Sequence, residues 1–158
     1  DASIDNTANI IRRYEEKYPN IIKPIYQTEN QYSKGSKYFW DLLFSNAKGK
    51  YIAICEGDDY WTDSTKLQKQ VDFLKDNKKY MACYHNTGIL RENKNKNNLE
   101  LISNTIKDIF KIEDFAKGKI YFHTSSLIFR FNDKIKKKII THYSHKTFGD
   151  PFLSFLLA

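Results

Sequence analysis

The sequence predicts an α/β domain of three layers, with a mainly parallel central sheet and helices on both faces. Three observations carry this. The apolar run Tyr51–Cys55 has the length and character of a buried strand. Short apolar runs alternate along the chain with segments whose apolar residues recur at helical spacing, as layered α/β folds require. The length, 158 residues with 41% hydrophobic content, suits one compact domain with a substantial core.

Taken in order, residues 1–7 form a polar turn in which Asp5, Asn6 or Thr7 caps the next helix. Ile10, Ile11, Tyr14 and Tyr18 give that helix one face to pack on a sheet, and Pro19-Asn20 ends it. Ile21–Tyr26 reads as a short strand, with Pro24 placing it at an edge. A polar loop, Gln27–Gly35, leads to a helix with Phe39, Leu42 and Leu43 as its buried stripe. A tight turn at Lys48–Lys50 then opens the strand Tyr51–Cys55, expected near the middle of the sheet. Asp63-Ser64 caps a helix over Lys66–Asn77, with Leu67, Val71 and Leu74 on its inner face. Tyr80–Asn86 is a strand with Met81 and Cys83 alternating, ending at His85 and Asn86.

Thr87–Ser103 is poor in apolar residues and rich in Asn, Lys and Glu, which reads as an exposed insertion. Ile112–Lys117 is a short helix closed by Gly118. Ile120–Phe131 is a strand broken by His123-Thr124-Ser125-Ser126, a hydroxyl-rich cluster that either bends the strand or faces a ligand. A basic helix spans Asp133–Ile140. Asp150 precedes Pro151, the arrangement of an N-cap before a first helical position.

The chemistry concentrates after Cys55. Glu56-Gly57-Asp58-Asp59 crowds three carboxylates into four positions at a strand end, where open α/β sheets bind ligands. Like charges so close are best tolerated with a cation among them. Carboxylate oxygens suit Mg²⁺ or Mn²⁺, which complete their shells with water and phosphate oxygens. A solvated turn is the simpler alternative; the flanking strand, Glu56 and the pair Tyr60-Trp61 argue for a site.

The net charge of +7 favours anionic partners, including nucleotide phosphates, although the lysines of 134–138 also read as a solvated face. The lysines are not interleaved with aromatics and no nucleic-acid-binding motif occurs, so nucleic acid is not expected as a partner. Cys55 and Cys83 read as reduced core thiols of a cytosolic protein. His142 and His145 find no third ligand for zinc, and no apolar run approaches the roughly 18 residues of a membrane span.

The run AKGKYIAICEGDDYWTD, followed by KLQKQVDFL, resembles the central segment of family 2 glycosyltransferases, in their EGDDYW subgroup. The D-x-D-type motif of that family falls on Glu56-Gly57-Asp58, with Glu56 where many relatives carry Asp. The resemblance implies a GT-A, Rossmann-like fold and transfer of a sugar from a nucleotide-diphosphate donor, with inversion, to a hydroxyl acceptor. It implies Mn²⁺ or Mg²⁺ held by Asp58 and Asp59, and donor contacts from Asp1, Ser3, Asn30, Lys37, Glu56 and Asp58. His123, Thr124 and Ser125 fall on the acceptor side, and Asp150 falls where relatives place their catalytic base. It further implies a UDP-sugar donor and a glycan or lipid-linked acceptor of surface polysaccharide synthesis. The expected location is the cytoplasm, with room for peripheral association at the inner face of the membrane. The family's first strand would precede Asp1, and a C-terminal segment would follow Ala158, so the chain reads as truncated at both ends. Two other readings compete: a sugar-nucleotide nucleotidyltransferase, which shares the sheet and carboxylates, and a basic binding module without catalysis.

Overall fold

The computed structural model describes residues 2–31, 33, 36–93, 96–101, 107–117 and 122–142. The chain divides into two compact units, Asp1–Asn46 and Ala47–Ala158.

In the first unit, α1 (Thr7–Lys17) begins where the Asp5 carboxylate accepts the Thr7 N–H at 2.9 Å. The Thr7 side chain first, and then this N–H, hold the Asp5 carboxyl below its usual range. The stripe of Ile10, Tyr14 and Tyr18 does not become a packed face: no residue of α1 is buried. Its aromatics serve local contacts instead, Tyr14 stacking on Tyr18 at 6.4 Å. The expected strand Ile21–Tyr26 joins no described ladder and runs as irregular chain, Pro24 offering no N–H to one. Tyr26 fastens it to α1, donating to Glu15 at 3.0 Å beneath the Arg12 guanidinium. In α2 (Ser36–Asn46), Phe44 is the buried residue and stacks on Trp40, while Leu43 is exposed. Of the expected stripe, Leu42 is half-buried and Leu43 exposed, and the Phe39 side chain lies outside the described residues.

The second unit is built on a three-stranded sheet, with β1 (Tyr51–Ala53), β2 (Ala82–Cys83) and β5 (Ile128–Arg130) in the order β1-β5-β2. Both described ladders are antiparallel, Ile52 facing Phe129 on one side and Ala82 facing Phe129 on the other. This corrects two expectations. The described sheet is not mainly parallel, and β5 rather than Tyr51–Cys55 occupies its middle. β1 and β2 do share a direction, because each opposes β5. An apolar run such as Leu127–Phe131 signals burial but carries no information on strand direction.

The core follows from β5. Leu127, Ile128 and Phe129 are almost wholly enclosed, with Leu74 from α3 (Lys66–Asp76) and Ile135 and Ile139 from α5 (Asp133–His142). Asn132 caps α5 by accepting the Ile135 N–H at 2.9 Å, and Lys134, Lys137 and Lys138 project outward as a basic surface. Arg130 locks the sheet to α3: it donates to the Tyr80 carbonyl at 2.9 Å and to the carbonyl of Leu74. Gly49 is required where it stands, since a Cβ there would meet the Tyr51 carbonyl oxygen at 2.9 Å.

α3 corrects a further expectation. Its buried face is Lys66, Gln70 and Leu74, spaced four apart, whereas Leu67 is 43% exposed. Gln70 is inside because it serves two backbone carbonyls described below, and Lys66 lies over the Trp61 ring. Residues 87–103, expected as an exposed insertion, are exposed at Ile89, Leu99 and Leu101 but carry strands that the composition did not suggest. They contain a hairpin of β3 (Gly88–Asn93) and β4 (Lys96–Leu101), in register from Gly88 opposite Leu101 to Asn93 opposite Lys96. Asn and Lys are poor strand formers, so a ladder resting on backbone bonds and the Arg91–Glu100 pair leaves little trace in composition. Beyond it, α4 (Ile112–Ala116) is capped by Asp114, which accepts the Lys111 N–H at 3.0 Å and pairs with Lys107. No helix among the described residues is long and apolar enough to cross a membrane.

Candidate functional site

The acidic segment leaves β1 as a tight turn, closed by the Asp59 N–H on the Glu56 carbonyl at 3.1 Å. Such a turn puts residues Gly57 and Asp58 at its tip and brings its two ends together. Glu56 and Asp59 therefore face the same space while Asp58 stands exposed. The third member of the cluster is His123. One ligand atom each from Glu56, Asp59 and His123 lie within 4.8 Å of one another.

His123 is delivered by the hydroxyl-rich break in the last strand. Thr124–Ser126 form one turn of 3₁₀ helix that His123 caps, its Nδ1 accepting the Ser125 N–H at 3.4 Å and lying 2.7 Å from the Ser125 hydroxyl. Two side chains of the acidic segment and α3 clamp this turn. The Trp61 indole N–H donates to the Ser125 carbonyl at 2.8 Å. The Gln70 amide donates to the Ser126 carbonyl and to the Cys83 carbonyl of β2, both at 3.0 Å. Both carbonyls lie in the interior, where an unmade hydrogen bond is costly, so these side chains fix the position of His123 relative to the carboxylates. Asp63 anchors the start of α3 by accepting the Thr65 hydroxyl at 2.6 Å and the Thr65 N–H at 2.7 Å and by pairing with Lys69; the hydroxyl first, then Lys69 and the N–H, keep its carboxyl well below the usual range.

The electrostatics favour a cation. Asp59 Oδ2 is buried, accepts no hydrogen bond among the described residues, and lies 3.6 Å from His123 Nδ1. Two electron-rich atoms at that separation are stable with a proton or a metal ion between them. Two carboxylates and an imidazole fit Mn²⁺ or Mg²⁺, whose remaining positions go to water and phosphate oxygens. Cys55 is exposed rather than in the core, and partial burial followed by the charges of Asp59 and Glu56 pushes its thiol upward.

The cluster opens into a cavity of about 970 Å³, lined among others by Asp58, Asp59, Trp61, Lys66, His123 and Ser125. The inner end of the hairpin, including Leu90 and Leu99, supplies an apolar part of the wall. The remaining residues singled out in the sequence fall as follows. Thr124 is buried within its turn and does not line the cavity. Ser3 and Asn30 belong to the first unit, where the Asn30 side chain accepts the Ser33 N–H at 2.9 Å as a turn cap. Lys37 lies in α2, and its side chain, like Asp1 and Asp150, is outside the described residues. Sequence reasoning missed the convergence of His123 on Glu56 and Asp59, and the buried polar face of α3. The signal available for the first was the paired hydroxyls and histidine interrupting an apolar strand.

An acidic turn at a strand end and a histidine brought to it, beside a cavity with polar and apolar walls, make an α/β protein with a cluster that offers ligand atoms to a cation. Residues 1–141 match the family described as "Glycosyl transferase family 2", a match that spans both units. The chain belongs to glycosyl transferase family 2, whose members have a GT-A α/β fold. Among curated proteins, it is 42% identical over 92 residues to an uncharacterised protein of Mycobacterium bovis, covering 58% of this chain and 26% of that one. It is 33% identical over 82 residues to the Escherichia coli UDP-Glc:alpha-D-GlcNAc-diphosphoundecaprenol beta-1,3-glucosyltransferase WfaP, covering 52% and 30%. An uncharacterised glycosyltransferase of Nostoc is 35% identical over 75 residues, covering 48% and 22%. The chain thus spans under a third of the length of these relatives. No solved structure matches it.

Proposed function

We propose that this chain carries the metal and donor site of an inverting glycosyltransferase that moves a sugar from a nucleotide-diphosphate donor to a hydroxyl acceptor. The observation that supports it most is the convergence of Glu56, Asp59 and His123 within 4.8 Å beside a cavity. In this reading these three residues hold Mn²⁺ or Mg²⁺, and Asp58, at the exposed tip of the turn, reaches the donor. A divalent ion there supplies charge stabilisation for the departing nucleoside diphosphate. Trp61 and Gln70 hold the histidine in place for that task. Asp150 accepts the proton of the acceptor hydroxyl as it attacks the anomeric carbon. Asp1, Ser3, Asn30 and Lys37 enter this reading as the donor contacts that the family resemblance implies.

A UDP-sugar donor and a lipid-linked diphosphate acceptor are the favoured pair, supported by the printed activity of the E. coli relative. The reading includes a place in surface polysaccharide synthesis at the cytoplasmic face of the membrane. A panel of UDP-, GDP- and TDP-sugars with and without Mn²⁺ tests it. UDP-sugars together with Mn²⁺ are expected to raise the melting temperature progressively as ligand exceeds its dissociation constant. A panel in which no nucleotide sugar gives a Mn²⁺-dependent shift would remove the reading. Consumption of a nucleoside triphosphate with release of pyrophosphate would replace it with a nucleotidyltransferase.

A further inference from the structure

The same cavity is lined by further polar atoms that the metal site does not use. Lys66, at the start of α3, is 5% exposed. Its Nζ forms no hydrogen bond among the described residues and rests 4.1 Å from the centre of the Trp61 ring. A ring face offsets part of the lost hydration of an ammonium group, but it gives the three N–H donors no acceptor. Three further lining residues hold buried polar atoms without a hydrogen bond among the described residues, Gln70 Oε1, His85 Nε2 and Thr87 Oγ1. The other ring nitrogen, His85 Nδ1, faces the Asn86 carbonyl at 2.5 Å and must carry the proton to do so. Nε2 is then the acceptor in the neutral ring.

We propose that Lys66, His85 and Thr87 form an anion-receiving subsite of this cavity, which takes a phosphoryl or carboxylate group borne by a sugar. Lys66 meets the negative charge, His85 Nε2 accepts a neighbouring sugar hydroxyl, and Thr87 donates to or accepts from the same group. The subsite rests on the reading of the cavity as a sugar-transfer site, and makes Lys66 a specificity-determining residue that selects a charged sugar unit over a neutral one. Desolvation in the unliganded protein lowers the Lys66 ammonium from its ordinary value, consistent with a cation that lacks its counter-ion. Gln70 is excluded from the role of donor, because its amide N–H groups are held by the carbonyls of Cys83 and Ser126.

The test is a calorimetric titration of the chain with glucose 1-phosphate, glucuronate and glucose, repeated on Lys66→Met and Thr87→Val. At least one charged sugar is expected to bind about tenfold more tightly than glucose, and Lys66→Met to erase that preference. Whichever of the phosphate and the carboxylate depends on Lys66 identifies the source of the anion. Thr87→Val, which keeps shape and charge, weakens the same ligand to a smaller extent, and serves if Lys66→Met does not fold. Equal affinity for charged and neutral sugars in the parent chain, or a preference that survives both substitutions, overturns the proposal. Titration with UDP and Mn²⁺ is the separate control: its failure counts against the metal site, while the comparison of charged and neutral sugars still decides the subsite.

Discussion

Asp150→Asn is expected to lower sugar transfer by about 10²- to 10⁴-fold while leaving folding and donor binding intact. The substitution separates two roles that the sequence alone superposes. Asp150 precedes Pro151, and as an N-cap it would be replaced by Asn at little cost, because both side chains accept a backbone N–H in the same geometry. As the base, it has no substitute in Asn, whose amide oxygen takes no proton at neutral pH. Melting temperature and transfer rate measured on one variant therefore give different answers for the two roles. A normal rate in the Asn variant would send the search for the base elsewhere.

The largest expected effect on stability is at Phe129. It is fully enclosed on the central strand β5, opposite Ile52 on one side and Ala82 on the other. Phe129→Ala removes a large ring from a site with no solvent face, and is expected to cost about 3–5 kcal/mol. Domains of this size have about 5–15 kcal/mol in total, so the variant should lose much of its resistance to urea. Ile89→Ala, on the exposed surface of the hairpin, is the comparison and should stay within about 0.5 kcal/mol of the parent. Similar losses for the two would mean that β5 is not the centre of the second unit.

The parts of the fold that were legible in the sequence are those fixed by local chemistry. α3 and α5 lie within a residue or two of their expected spans, because each has a capping residue and an apolar repeat at helical spacing. The acidic turn after β1 was legible for the same reason. Strand direction was not, since burial of Leu127, Ile128 and Phe129 is the same whichever way β5 runs. Nor was the inward face of α3. Spacing of apolar residues selected Leu67, Val71 and Leu74, but the helix is turned so that Gln70 reaches two carbonyls of other segments. A helix whose face is chosen by hydrogen bonds to distant backbone does not announce it in its apolar pattern.

The candidate site divides along the same line. Glu56 and Asp59 are neighbours in sequence, and their pairing follows from the turn between them. His123 is far from them along the chain, and its arrival depends on the Trp61 and Gln70 bonds to the Ser125 and Ser126 carbonyls. No local pattern encodes a contact of that kind. The metal role that sequence reasoning assigned to Asp58 and Asp59 is accordingly proposed here for Glu56, Asp59 and His123, with Asp58 turned to the donor.

Electron spin resonance of Mn²⁺ bound to the chain tests that assignment most directly, because it reports the ligands without requiring turnover. The account predicts one bound Mn²⁺ with nitrogen hyperfine modulation from a single imidazole. That modulation should disappear in His123→Asn, and binding itself should fall sharply in Asp59→Asn. Bound Mn²⁺ without nitrogen coupling, or coupling that persists in His123→Asn, would contradict it.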